Sequence, residues 1–86
     1  MTHDIIEEIT YDYLKEERDV NDATIYDVID GIVENQVSRL NDEDQHACLH
    51  YSHISNGITY NLRDTIKYLI PILRLTLESE REIVWR

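Results

Sequence analysis

Three of the four histidines and the single cysteine lie close together, in the segment QHACLHYSHISNG (residues 45–57). Imidazole and thiol groups bind transition metals, transfer protons and act as nucleophiles. If this segment is a helix, His46, His50 and His53 fall within about 60° of one another around its axis, whereas Cys48 faces another side. The spacing therefore predicts a histidine stripe along one flank of a helix.

The histidine stripe has three interpretations. His46 and His50 are spaced i, i+4 and can both reach one metal ion, although no Glu follows His46 as it would in an H-E-x-x-H site. Imidazoles beside aromatic residues also suit a protein interface. The third interpretation is a partly exposed flank with no special task. We expect no metal and no cofactor, and name His46 and His50 as the pair that would hold an ion.

Two catalytic arrangements are also considered. Cys48 with a neighbouring histidine would form a nucleophile pair, but the helical spacing puts it on a different face, where a packed small hydrophobic residue is expected. Arg39 followed by His46 resembles the Arg-x(4–6)-His signature of HEPN ribonucleases. That pattern is common by chance, and the acidic residues around it repel RNA. We therefore expect no enzymatic activity.

Charge is distributed unevenly along the chain. The protein has 18 acidic and 8 basic side chains and a net charge of −10. Residues 1–44 hold 14 of the acidic and three of the basic side chains. Such a protein repels nucleic acid and anionic membranes and attracts basic protein surfaces.

The acidic residues of the N-terminal half recur at helical spacing. Neighbouring like charges at i, i+4 destabilise a helix by a few tenths of a kcal/mol, so another requirement is expected to favour them. Carboxylates four residues apart lie about 6 Å apart along the axis, comparable with the phosphates of one nucleic-acid strand. An ordinary solvated face is the other interpretation. The predicted partner-contact residues are Glu8, Asp12, Asp27, Asp30 and Glu34.

The hydrophobic pattern predicts an all-α fold, a single acidic domain over residues 1–86, because apolar residues recur at i, i+3, i+4 and i+7. Asn41 with Asp44 resembles a capping box, Asn56-Gly57 is typical of a helix end, and Gly31 indicates a close helix contact. Pro71 predicts either a kink in the last helix or the start of a fifth segment. The predicted helices are 4–17, 24–40, 42–55 and one that begins near residue 58.

Several general properties follow from composition. One cysteine excludes an internal disulfide, and no signal peptide or membrane span is expected, so a soluble intracellular protein is predicted. The apolar last helix and the tail around Trp85 are compatible with a homodimer. If the protein comes from a phage, its location is the cytoplasm of the bacterial host.

The stretch YLKEERDVNDATIYDVIDGIVENQV (residues 13–37) resembles the Ocr-like phage anti-restriction proteins, which mimic DNA. The likeness lies in a Tyr-bearing acidic helix ending in Leu-Lys-Glu, an acidic loop, and an Asp-rich amphipathic helix ending in Asn-x-Val. Together with the histidine- and tyrosine-containing segment that follows residue 37, the likeness covers about half of the chain. The resemblance implies a small phage-type protein that occludes a DNA- or RNA-binding host enzyme.

The leading functional prediction is a non-enzymatic inhibitor, of anti-restriction or anti-CRISPR type. It would present carboxylates to the basic groove of a nucleic-acid-binding protein or nuclease. The alternative is an antitoxin, immunity-type or regulatory adaptor that binds through apolar helix 4 and the histidine flank. A metal-dependent or HEPN-like enzyme is the third.

Overall fold

Helices form most of the chain, and a short β-hairpin precedes the last of them. The computed structural model describes residues 1–16 and 20–81. The elements are α1 (Thr2–Glu16), α2 (Ile25–Gly31), a π-helical turn (Ile32–Gln36), a 3-10 turn (Val37–Arg39), α3 (Asp42–Leu49), β1 (Ser52–Ser55), β2 (Ile58–Asn61) and α4 (Leu62–Arg81). Together they form a compact globule with a radius of gyration of 12.9 Å.

The predicted second helix is confirmed as a continuous helical segment, residues 25–39, called helix 2 below. Its inward residues Val28, Ile29, Ile32 and Val37 are buried. Ile32 and Val37 are five residues apart and both face the core, because the Val37 amide donates to the Ile32 carbonyl in the π-helical turn. In an α-helix of 3.6 residues per turn, two residues five positions apart would face different sides. The wider π-helical turn keeps both of them on the inward face.

Gly31 lies where α1 crosses helix 2. A Cβ atom built on Gly31 would lie 2.7 Å from the ring carbon Cζ of Tyr13, closer than real Cβ contacts. The absence of a side chain lets the Tyr13 ring pack directly on the helix backbone. The predicted close helix contact at Gly31 is confirmed.

The predicted start of α3 is confirmed, but its predicted end is wrong. The Asn41 side-chain oxygen accepts a hydrogen bond of 2.8 Å from the Asp44 amide, as expected for an N-cap. The helix stops at Leu49 instead of continuing to residue 55. The chain then turns into an extended strand.

Two short strands form the β-hairpin, so the all-α prediction is wrong in this segment. The strands are antiparallel, with His53 opposite Tyr60 and Ser55 opposite Ile58. Asn56 (φ 53°) and Gly57 (φ 78°) form the two-residue turn. Asn-Gly favours a type I′ hairpin turn because both central residues need positive φ. The same dipeptide also ends helices, which is the interpretation that failed here.

The last helix begins at a capping box. The Asn61 side chain accepts from the Asp64 amide (2.9 Å), and the Asp64 carboxylate accepts from the Asn61 amide (3.2 Å). Pro71 lies inside α4, which is one helix to Arg81, so a fifth segment starting at Pro71 is wrong. The kink at Pro71 stays a prediction.

The inner face of α4 supplies much of the core and packs mainly on α1. Its buried residues are Leu62, Ile66, Leu69, Ile70, Leu73 and Leu77. The two helices run in the same direction: His3 shares a cleft with Thr65 and Tyr68, and the Tyr11 hydroxyl donates to Glu80 (3.2 Å). None of the described helices is long and apolar enough to cross a membrane.

Candidate binding surfaces

A groove between α1 and α4, called the α1–α4 groove below, concentrates negative charge. Asp4, Glu7 and Glu8 lie along its α1 side, and Glu80 lies on its α4 side, where Tyr11 donates to it. Spacing of i, i+3, i+4 puts the three α1 carboxylates on one helical face. No cationic side chain lines the groove in the part of the chain that the structure describes. The groove therefore presents an uncompensated negative potential.

The floor of the α1–α4 groove is apolar. Ile72 and Leu73 line it, and Ile72 remains partly exposed. Carboxylates above exposed methyl groups suit a partner that combines cationic and apolar side chains. Of the predicted contact residues, Glu8 is the one that this groove contains.

Glu8 also borders a second cleft, together with the predicted contact residue Asp12. This cleft lies between α1 and the C-terminal end of helix 2 and includes Arg39. Asp12 pairs with Lys15 one turn away, at 3.1 Å. Cations therefore compensate the charge of Asp12 more than that of Glu8.

The three predicted contact residues of helix 2, Asp27, Asp30 and Glu34, are all exposed. Asp30 accepts a hydrogen bond from Arg63 on α4, with an Oδ1–Nη2 distance of 2.6 Å. Asp27 and Glu34 form no ion pair with the described part of the chain. The structure thus places the five predicted residues on two elements, with two of them already paired.

The predicted histidine stripe does not exist as one helical face. The rings of His46 and His50 lie 4.3 Å apart at the end of α3, but His53 lies on β1, opposite Tyr60. The stripe fails because α3 ends before His50. Within residues 1–16 and 20–81, no three His, Cys, Asp or Glu side chains are grouped as metal ligands.

Cys48 is fully buried in the core, as expected for a small packed residue. Burial raises the pKa of its thiol, and the nearby Asp44 carboxylate raises it further. A raised pKa keeps the thiol protonated, and the thiolate is the reactive form. These properties disfavour a nucleophilic role.

A cleft beneath the β-hairpin was not foreseen from the sequence. It has a volume of about 250 Å³ and is lined by the rings of His3, Tyr51, His53, Tyr60 and Tyr68, with Thr65. His53 and Tyr60 point inward from opposite positions of the two strands. We call it the aromatic cleft. The available sequence signal was the Asn-Gly turn, which would have placed His53 and Tyr60 on one face of a hairpin.

Comparison of the chain with models of protein families, with curated proteins and with solved structures found no match. The resemblance to the Ocr-like proteins therefore stays a prediction.

Proposed function

We propose that this protein is a non-enzymatic acidic inhibitor that occupies the basic groove of a nucleic-acid-binding protein or nuclease. The observation that carries the proposal is the surplus of unpaired carboxylates on the described surface. The described side-chain ion pairs involve only Asp12 and Asp30. Among the remaining described carboxylates, Asp44, Asp64 and Glu80 accept hydrogen bonds from within the chain, and the others are available to a cationic partner.

The unpaired groups are arranged along helices. Asp4, Glu7 and Glu8 lie on one face of α1, and Asp27 and Glu34 lie on the outward face of helix 2. A groove built to neutralise phosphates with Lys and Arg would be attracted to such a surface and blocked by it. Restriction, CRISPR and recombination nucleases have grooves of this kind.

The five predicted contact residues would differ in their contribution. Glu8, Asp27 and Glu34 would meet the partner without first breaking an ion pair. Asp12 would leave its ion pair with Lys15, and Asp30 its ion pair with Arg63, to pair with cations of the partner. Because exposed ion pairs are worth only about 0–1 kcal/mol, this exchange costs little.

Salt-dependent capture tests the proposal. The tagged protein is incubated with a bacterial lysate at low salt, eluted at high salt, and the eluted proteins are identified by mass spectrometry. A recovered nuclease is then assayed for DNA cleavage with and without the protein. We expect inhibition that weakens steeply between low and high salt, because salt screens the attraction between exposed charges.

Charge reversal supplies the matched comparison. Asp27→Lys with Glu34→Lys should reduce capture by about tenfold or more, since it removes two contacts and adds two repulsions. Asp22→Lys with Glu43→Lys makes the same change in net charge at two exposed carboxylates that are not among the predicted contact residues, and it should retain most of the capture. If both variants lost capture equally, net charge alone would explain the effect. That result would contradict a defined contact face.

A second candidate is an adaptor that binds through α4. Three apolar residues on its outer face, Tyr68, Ile72 and Leu75, are spaced i, i+4, i+7 and are 68%, 44% and 68% exposed. Leu73 on the same helix is buried and cannot contact a partner, and Trp85 lies outside the described residues. A partner that stays through the salt wash and is lost on Ile72→Ser with Leu75→Ser would favour the adaptor over the inhibitor.

A further inference from the structure

We infer that the aromatic cleft binds a guanidinium group, presented as an arginine side chain. Its walls come from parts of the chain that are far apart in sequence: His3 lies in the first turn of α1, Tyr51 follows α3, His53 and Tyr60 lie on the hairpin, and Tyr68 lies on α4. These rings come together only when the chain folds, so the cleft exists only in the folded protein.

The lining has rings and hydroxyl groups but no charged side chain. Two ring pairs border it, His3 with Tyr51 and His53 with Tyr60, each with centroids 6.4 Å apart. The faces of aromatic rings carry partial negative charge and attract cations, most often the guanidinium of arginine. Although 30% of the residues in the chain are charged, the cleft is lined by aromatic rings without a charged side chain. The ring faces therefore suit it to a cation.

The tyrosine hydroxyls of the cleft are available as hydrogen-bond acceptors. Tyr11 and Tyr26, outside the cleft, bond to Glu80 and Lys67. No hydroxyl bond joins Tyr51, Tyr60 or Tyr68 to the part of the chain that the structure describes. Guanidinium has five N–H donors and no acceptor, so it matches hydroxyl acceptors around a ring-lined space.

The surrounding charge also selects a cation. Asp64 lies beside Tyr60 and Tyr68 in the groove that adjoins the cleft. Lys67 lines the same groove, but its ammonium group lies over the Tyr26 ring, 5.0 Å from the centroid, and donates to the Tyr26 hydroxyl at 3.0 Å. The Asp64 carboxylate therefore favours a cation over a phosphate or carboxylate ligand at this opening.

Arginine fits better than lysine for two physical reasons. Its planar guanidinium stacks on ring faces, and it is less strongly hydrated than an ammonium group, so less hydration is lost on entry. The volume of about 250 Å³ leaves room for the methylenes as well as the head group. Insofar as the arginine comes from a basic groove, the inference rests on the proposed function; the cleft itself can be tested without any partner.

The test is an NMR titration of the isotope-labelled full chain with N-acetyl-arginine-methylamide. The matched probes are the citrulline analogue, which has the same shape without the charge, and the lysine analogue. We expect saturable shifts at His3, Tyr51, His53, Tyr60 and Tyr68 with arginine at millimolar concentrations, weaker binding of lysine, and no saturation with citrulline.

Two variants locate the binding. Tyr68→Ala should weaken arginine binding about 3- to 10-fold, the range expected from loss of one cation–π contact. Leu75→Ala truncates a side chain of the same helix that is as exposed as Tyr68 but lies outside the cleft, and it should leave arginine binding unchanged. Tyr68 is itself largely exposed, so its truncation should not prevent folding, and the dispersion of the amide spectrum reports this directly.

The contrary results are distinct. Equal binding of citrulline, shifts confined to the carboxylates of the α1–α4 groove, or unchanged binding in Tyr68→Ala would each overturn the inference. If arginine fails to bind while capture of a partner remains salt-sensitive, the inference falls and the proposed function stands. If arginine binds but no charge-dependent partner is captured, the cleft stands and the proposed function falls.

Discussion

In the helical body, fifteen described hydrophobic side chains are buried against one another, whereas seven of the eight strand residues in the hairpin are exposed. The body is held by apolar burial. The hairpin is held by its ladder, its Asn-Gly turn and contacts of β2 with α4. A two-stranded hairpin is only marginally stable by itself. The aromatic cleft lies between the two regions, so its shape depends on the more weakly held one.

Thiol accessibility should show the largest difference between the two regions. Because Cys48 is fully buried, we expect it to react with a thiol reagent roughly a thousandfold more slowly in the native protein than in urea. A cysteine on the hairpin, Ser52→Cys in a Cys48→Ala background, should react nearly as fast as in urea. Similar rates at the two positions would contradict a difference in protection.

The same thiol gives the comparison a pH dependence. Its pKa is raised in the folded protein, so the unfolded chain ionises first as pH rises. The stabilisation is therefore complete below the ordinary thiol pKa of about 8.5 and is lost above it. The urea midpoint should fall from pH 7 to pH 9.5, and it should fall further in the wild type than in Cys48→Ala.

Truncation of an apolar side chain should affect the body far more than the hairpin. Ile66→Ala removes a fully buried side chain from α4 and should lower the free energy of unfolding by about 2–5 kcal/mol. Ile54→Ala on β1, where the side chain is 69% exposed, should change it by no more than about 0.5 kcal/mol. Urea denaturation measures both, and comparable losses would mean that Ile54 is part of the core.

A substitution in the Asn-Gly turn should have an effect that is confined to the hairpin. Gly57 has φ of +78° and no atom within 4 Å of a built Cβ, so Gly57→Ala should cost about 1–2 kcal/mol from backbone conformation alone. Hydrogen exchange should accelerate at residues 52–61 and stay unchanged in α1. Asn56→Gly keeps a residue that tolerates positive φ and should preserve the protection; faster exchange throughout the molecule in Gly57→Ala would show that the regions open together.

The helical body could largely be predicted from sequence because its signals are long. The apolar spacing across residues 25–39 and the inner face of α4 each extend over several turns, and they locate Val28, Ile32 and Ile66 correctly. The hairpin was missed because each strand has only four residues, and histidines at 46, 50 and 53 happen to fit a helical period. Asn-Gly fits both a helix end and a hairpin turn.

The candidate surfaces show the same limit. Periodicity places Glu8 and Asp27 on the polar sides of their helices, but sequence could not show that Asp30 pairs with Arg63, 33 residues away. The aromatic cleft joins residues from His3 to Tyr68. Contacts over such separations depend on tertiary packing, which local patterns do not encode.

The Asn56-Gly57 turn also determines how the hairpin ages chemically. Glycine places no side chain in the way when the preceding asparagine amide is attacked by the backbone nitrogen that follows it. Ammonia leaves as the succinimide ring forms, and water then opens the ring mainly to isoaspartate, which adds a methylene to the main chain and a negative charge to the tip. A two-residue turn has no slack for a longer backbone, so stored protein should gradually lose the register that places His53 opposite Tyr60.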